Sequence, residues 1–320
     1  MEFQFLIRSI IILFLICSLS ACQKEITIPI PKQAISIVID GKIETGLPPI
    51  VFLSYTKDIF SPTNLDSIFG GFIDDAVVIV SNGLISDTLD RVCTDEIPDT
   101  LKQYASFLFG VPKSIIEQYH FCFFSTLNPS LFGQIGNRYT IKVMHKNKTY
   151  NAITTIEKPV PLDSIYWKPE KKTPDHGYIY ANLSEPYAEN NFYLWEVLQI
   201  KAGNDGMNKD QKFYKPSNPV FNDQFINGLL FTISYENPRS RFDKKIPEEF
   251  RGLYKKGDTI MVKFSTLNKD SYRFLEQKYV QLQSGGSPFS TPVNLPSTIS
   301  NGALGSWIGY SPSYKVVICK

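Results

Sequence analysis

Tyr139-Thr140-Ile141-Lys142-Val143-Met144-His145-Lys146-Asn147-Lys148-Thr149-Tyr150-Asn151-Ala152-Ile153-Thr154 decides the fold of this chain. Tyr139, Ile141 and Val143 alternate with Thr140 and Lys142, giving one apolar and one polar face, the period-two pattern of a half-buried strand. Asn147-Lys148 turns the chain into a second run on Tyr150, Ala152 and Thr154. The same grammar recurs upstream. Ile35, Ile37 and Ile39 alternate with Ser36, Val38 and Asp40 and end at Gly41. Val51, Leu53 and Tyr55 make a second strand, and Val77 to Val80 is a β-branched run. After Ser81 comes Asn82-Gly83, the strongest short hairpin signal. Short strands separated by turn residues predict a mainly all-β chain with a few short helices, its N-terminal part an immunoglobulin-like sandwich.

The punctuation sets the domains. Leu101 to Tyr119 breaks the alternation with Gly110 and Pro112, and reads as an insertion of one or two short helices on the sandwich rim. Glu157-Lys158-Pro159-Val160-Pro161-Leu162-Asp163 reads as a linker, because its prolines impose an extended path and cannot join a central sheet. Two β-sandwich-like domains are therefore expected, over 34–158 and 159–320. In the second, strands are expected at Tyr178 to Asn182, Phe192 to Lys201, Leu229 to Tyr235 and Thr259 to Phe264. A helix is expected near 269–283, where Tyr272, Leu275, Tyr279 and Leu282 follow Asn268 at steps of three and four.

The N-terminus is an address. Ile10 to Leu19 is apolar and uncharged, preceded by Arg8 and closed by Ser20-Ala21-Cys22. Such a short run with a basic front reads as a cleaved signal over residues 1–21 rather than a stable membrane span. Leu19-Ser20-Ala21-Cys22 resembles a lipobox, which implies lipidation of Cys22 and anchoring in the outer membrane. Each buried methylene of such an anchor contributes roughly 0.8 kcal/mol. Residues 22–33 are then a tether, kept extended by Pro29 and Pro31. Gln23-Lys24-Glu25 resembles in part the signal that sends lipoproteins to the cell surface; the alternative is display toward the periplasm.

Composition narrows the partners. The formal net charge is +2, and no basic run or aromatic–basic patch points to nucleic acid. With Cys17 in the signal and Cys22 lipidated, Cys93, Cys122 and Cys319 remain. Cys93 with Cys122 is the candidate disulfide, closing the helical insertion; three buried thiols is the other reading. His120, His145 and His176 have no metal-ligand spacing and no nucleophile elbow beside them. Gly285-Gly286 lacks the ending of a phosphate loop. Asp74-Asp75 and Glu248-Glu249 are adjacent pairs, which point to opposite faces of a strand. No cofactor, metal or catalytic residue is therefore expected. The tripeptide Asp-(Ser/Thr)-aliphatic recurs at Ser67, Thr88, Thr100, Ser164 and Thr259. It resembles an O-glycosylation acceptor, and it equally suits turns that begin strands.

Three blocks carry a family resemblance. Val38-Ile39-Asp40-Gly41-Lys42-Ile43-Glu44, Phe221-Asn222-Asp223-Gln224-Phe225-Ile226-Asn227-Gly228, and Pro288 to Gly305 followed by Trp307-Ile308-Gly309-Tyr310-Ser311 occur in this order. Together they resemble the domain-of-unknown-function 4249 family of Bacteroidota lipoproteins. The resemblance implies no catalytic residue; its members look like companions of TonB-dependent receptors. Trp307 and Tyr310 are either a core plug or a ligand- or partner-binding surface. The leading expectation is a non-enzymatic accessory to a TonB-dependent transporter in nutrient capture or uptake. The alternatives are a surface glycan- or peptide-binding lipoprotein, using exposed aromatics such as Trp167, Trp195 or Trp307, and a hydrolase whose site assembles only on folding.

Overall fold

A computed structural model describes residues 35–57, 64–187, 189–202, 210–284 and 295–320. The signal, Cys22 and its tether, the Gly285-Gly286 loop and the start of the C-terminal block lie outside the described residues. Ile35–Lys320 forms one compact unit. Its first half holds β1 (Ile37–Glu44), β2 (Ile50–Tyr55), β3 (Val77–Ser81), β4 (Ser86–Thr88), β5 (Asp90–Cys93), β6 (Cys122–Ser125), β7 (Arg138–His145) and β8 (Lys148–Thr155). Its second half holds β9 (Ser164–Glu170), β10 (Thr173–Ser184), β11 (Phe192–Lys201), β12 (Val220–Asn222), β13 (Leu230–Tyr235), β14 (Tyr254–Lys255), β15 (Thr259–Leu267) and β16 (Leu304–Ile318). The described α-helices are α1 (Leu65–Phe69), α2 (Asp99–Phe109), α3 (Lys113–Gln118) and α4 (Lys269–Ser284).

The first half is a sandwich of β1-β2-β6-β5 against β4-β3-β7-β8. That is the strand order of an immunoglobulin sandwich, ABED against C′CFG. Tyr139 at the start of β7 completes the likeness. Its hydroxyl donates to Phe132 O at 2.8 Å and accepts the Gln134 N–H at 2.9 Å, the tyrosine-corner arrangement of such folds. The alternation read from the sequence becomes the core: Tyr139, Ile141, Val143, Tyr150 and Ala152 meet Ile37, Ile39, Ile43, Val51 and Leu53. The β7–β8 turn falls one residue earlier than expected, at Lys146-Asn147, with φ of 46° and 61°. Both central residues at positive φ give the turn whose twist matches the flanking strands.

The second half packs β12-β11-β15-β16 against a sheet in which β9, β13 and β14 pair with β10. Its core contains Ile179, Ala181, Leu183, Tyr193, Trp195, Ile260, Val262 and Phe264. The expected boundary at 158/159 falls between the two cores, yet the strands do not separate there. Leu304 to Tyr310 of β16 pair in parallel with β1, and Ser311 to Ile318 pair antiparallel with β15. One strand thus splices two four-stranded sheets into a single eight-stranded one. The division into two separate domains is corrected to two cores on one continuous sheet. The proline segment is likewise no free linker, since Val160 and Leu162 are buried in the second core.

Helices cover the outer face of the long sheet. Asn268 caps α4 by accepting the Ser271 N–H at 2.8 Å. Tyr272, Phe274 and Leu275 then pack on Leu194 and Ile308. The 101–119 insertion is α2 and α3, separated by Gly110 at φ 71° and restarted after Pro112. It closes over an aromatic cluster in which Phe52, Phe69, Phe72 and Phe109 surround Phe121.

Candidate binding surface

The Phe221–Gly228 block forms a loop held from beneath. Asp223 is buried, and its Oδ2 accepts the Asn191 N–H at 2.9 Å. Its carbonyl accepts the N–H groups of Ile226 and Asn227 at 2.8 and 2.9 Å, closing a turn. Asn191 Nδ2 and Tyr193 Oη in turn donate to the two oxygens of buried Glu185, at 2.9 and 2.6 Å. Burial pushes the Glu185 carboxyl up, against the pull of those two donors, and the neighbouring Asp223 adds to the rise. The Tyr193 hydroxyl is held protonated by burial and by Glu185. Gly228 (φ 73°) rides over the Tyr187 ring, where a side chain would meet Cδ2 at 2.9 Å. A buried polar network of this kind fixes a loop in one shape.

What the fixed loop presents is apolar. Phe225 is 86% exposed, Tyr187 84% and Leu230 72%, with Leu229 between them also exposed. They adjoin β13, which among the described residues is an edge strand paired only with β10. Leu230-Phe231-Thr232-Ile233-Ser234-Tyr235 carries no charge and no proline, the devices that ordinarily protect a sheet edge. The arrangement can accept another strand or an apolar protein face, with little ordering cost on this side.

The histidines occupy other settings. His145 is buried, with Nε2 2.7 Å from Tyr55 Oη and Nδ1 3.4 Å from Asp75 Oδ1. His176 lies in a cleft of about 410 Å³ beside Ser240 and Asp258. Its ring stacks on Phe250 at 4.2 Å, and burial, with Lys255 nearby, pushes its pKa down. Ser240 Oγ is committed to backbone, accepting the Gly252 N–H at 3.0 Å and donating toward Leu253 O at 3.3 Å. His120 Nδ1 pairs with Asp95 at 3.0 Å. His120 stands with Cys93 and Cys122 in a set of metal-ligand type, but the two sulfurs are joined to each other and offer no thiolate.

The residues singled out from the sequence separate accordingly. Cys93 and Cys122 face each other across β5 and β6 as a disulfide, and Cys319 is a buried thiol that burial pushes up to about 12. Trp307 is 1% exposed in the first core, its indole N–H donating to Tyr139 O at 3.1 Å. A binding role for its face is thereby corrected to a core plug. Tyr310 is half-buried against the α4 cluster. Trp195 is buried and Trp167 packs against the second core, its indole N–H enclosed. Among the tripeptide hydroxyls, Thr88, Thr100 and Ser164 are exposed, whereas Ser67 and Thr259 are half-buried. Asp258 makes the turn before β15 by accepting the Lys255 N–H at 3.0 Å. Sequence reasoning missed Tyr187, Phe225 and Leu230; the signal available was the uncharged stretch from Phe225 to Phe231, interrupted only by Asn227-Gly228.

This is a two-core β-sandwich protein with a rigid apolar tip beside an open strand edge. The chain belongs to the family described as Domain of unknown function (DUF4249), whose model matches residues 23–315. No curated protein and no solved structure matches it.

Proposed function

We propose that the protein is a non-enzymatic accessory subunit, held at the outer membrane by lipid on Cys22, that docks a TonB-dependent transporter in nutrient uptake through β13 and the Tyr187/Phe225 tip. The observation that carries this reading is the pairing of a pre-shaped apolar tip with an unprotected edge strand. Soluble proteins seldom leave both open unless a partner covers them. The exposed carboxylate of Glu189, whose backbone carbonyl accepts Asn227 Nδ2 at 3.0 Å beside the tip, favours a protein partner over an anionic lipid surface. The sugar-stacking reading loses support because Trp195 and Trp307 are core residues.

The test is photo-crosslinking in intact cells from a benzoylphenylalanine at position 225 or 230, with position 84, which is 92% exposed on the β3–β4 loop, as control. An adduct with a TonB-dependent receptor is expected from 225 and 230 but not from 84. Cys22→Ala should lower its yield by removing the anchor. Equal labelling from position 84, or no receptor adduct from a well-displayed protein, would refute the docking surface.

A further inference from the structure

A second feature lies on the outer face of the spliced sheet, away from β13. There β1 turns Lys42 and Glu44 outward, β15 contributes Lys263, and α2 lies above them around a cavity of about 260 Å³. Phe107, Leu47 and Phe213 form apolar walls. The charged floor is a chain of ion pairs. Glu44 accepts from Lys263 at 2.6 Å and from Tyr314 Oη at 3.0 Å. Lys263 reaches Glu196 at 3.7 Å, and Glu196 takes Lys215 at 2.7 Å. Both carboxylates are thus already claimed by cations.

Lys42 is the cation left over. Among the described residues it makes no ion pair; its Nζ donates to Leu108 O in the last turn of α2. The negative end of a helix supplies about half a charge at most. The charged groups around Lys42 are Asp40 and Glu44 on its own strand, Lys263 on β15, Glu196 on β11, and Lys215 on the segment before β12. A half-buried ammonium without an ion-pair partner is costly, and an incoming anion relieves that cost.

We propose that this cavity binds a small carboxylate with an apolar or aromatic body, its carboxylate paired with Lys42 and its body lodged between Phe107 and Phe213. A single ammonium without an arginine fork suits a monoanion better than a phosphate. The cavity of about 260 Å³ limits the ligand to a small acid. Burial, reinforced by Lys263, lowers Lys42 to about 8. The ammonium that receives the carboxylate is therefore present below that pH. Affinity should be highest there and fall about tenfold per unit above it.

The probes are 3-phenylpropionate and octanoate, with 3-phenylpropanamide and octanamide as uncharged counterparts, titrated by calorimetry at pH 6.5 and pH 9.5. At the lower pH the acids should bind at least tenfold more tightly than the amides, and the gap should close at the higher pH. Lys42→Met should abolish the preference and Lys42→Arg should keep it. Phe107→Ala should weaken acid and amide alike. Because Lys42 also holds the end of α2, thermal unfolding of each variant separates lost binding from lost fold. Equal binding of acid and amide by the folded wild-type chain, or binding of neither up to their solubility, overturns the proposal. Neither result bears on the β13 surface.

Discussion

Gly41→Ala puts a methyl group where the first and last strands meet. Gly41 and Trp307 are register partners in the parallel β1–β16 pair. A Cβ at position 41 would stand 2.6 Å from Trp307 Cε3 and 3.2 Å from Cζ3, where carbon atoms rest at about 3.5–4.0 Å. The indole cannot retreat, being buried and tied to Tyr139 O. Overpacking of this kind costs about 1–3 kcal/mol. Loss of glycine's unfolded-state freedom returns roughly 0.4–1 kcal/mol. The expected net destabilisation is about 1–2 kcal/mol, read as a lower urea midpoint at unchanged slope. Trp307→Leu alone opens a cavity and costs on the order of 3 kcal/mol. In that background the clash is gone, so Gly41→Ala should become neutral or stabilising. The cycle then yields a coupling of about 1–3 kcal/mol. Wild-type stability for Gly41→Ala, or strict additivity with Trp307→Leu, would refute the knob-and-gap account.

Two further outcomes follow from buried chemistry. Cys93 and Cys122 are 29 residues apart, so replacing both by serine should cost about 3–4 kcal/mol on the chain-entropy model; limited proteolysis should then cut first within α2 and α3, and unchanged protection would contradict the role given to the bridge. Glu196 is pushed up by burial, but Lys215 and Lys263 outweigh this and hold it down at about 2, below the ordinary glutamate value of 4.5. Because the folded pKa is the lower one, its stabilisation is complete above about pH 4.5 and fades as pH falls to about 2. That amounts to about 3 kcal/mol. Glu196→Gln should flatten this part of the stability–pH curve, and an unaltered acid limb would refute the assignment.

Much of the scaffold was legible because it rests on local pattern. Alternation found β1, β7 and β8, and Asn268 with its apolar spacing found α4. Gly110 and Pro112 marked the break between α2 and α3. The β7–β8 turn was displaced because Lys146 at φ 46° is a conformation a lysine rarely takes; the His145–Lys148 pairing imposes it. β16 was hidden for a different reason. Gly305, Gly309 and Pro312 argue against a strand locally, and its partners β1 and β15 lie far apart in sequence. Gly305 sits at φ 105°, where any side chain would strike Ile39 O. The apolar tip was illegible because Phe225 and Leu230 look like core residues in sequence. Only the buried Glu185, Asn191, Tyr193 and Asp223 network, drawn from separated segments, turns them outward.

The splice constrains how any partner or ligand can act on this molecule. β1 and β16 build one wall of the first core, and β15 and β16 build one wall of the second. Hinging the halves apart would have to break the parallel β1–β16 ladder or the β15–β16 ladder, and with it the Lys263–Glu44 ion pair that crosses the seam. Each break would expose core on at least one side, at a cost comparable to unfolding rather than to a domain motion. Val38–Glu44 and the Leu304–Tyr310 part of the closing block of the family signature are the two sides of that seam, whereas the remaining block, Phe221–Gly228, forms the loop that carries Phe225. The signature therefore encodes a rigid double sandwich and the surface it presents. The proposed cavity beneath α2 straddles the same seam, with Glu44 and Lys263 both in its lining. A carboxylate bound at Lys42 would then act by tightening α2 on the sheet, not by opening the sandwich.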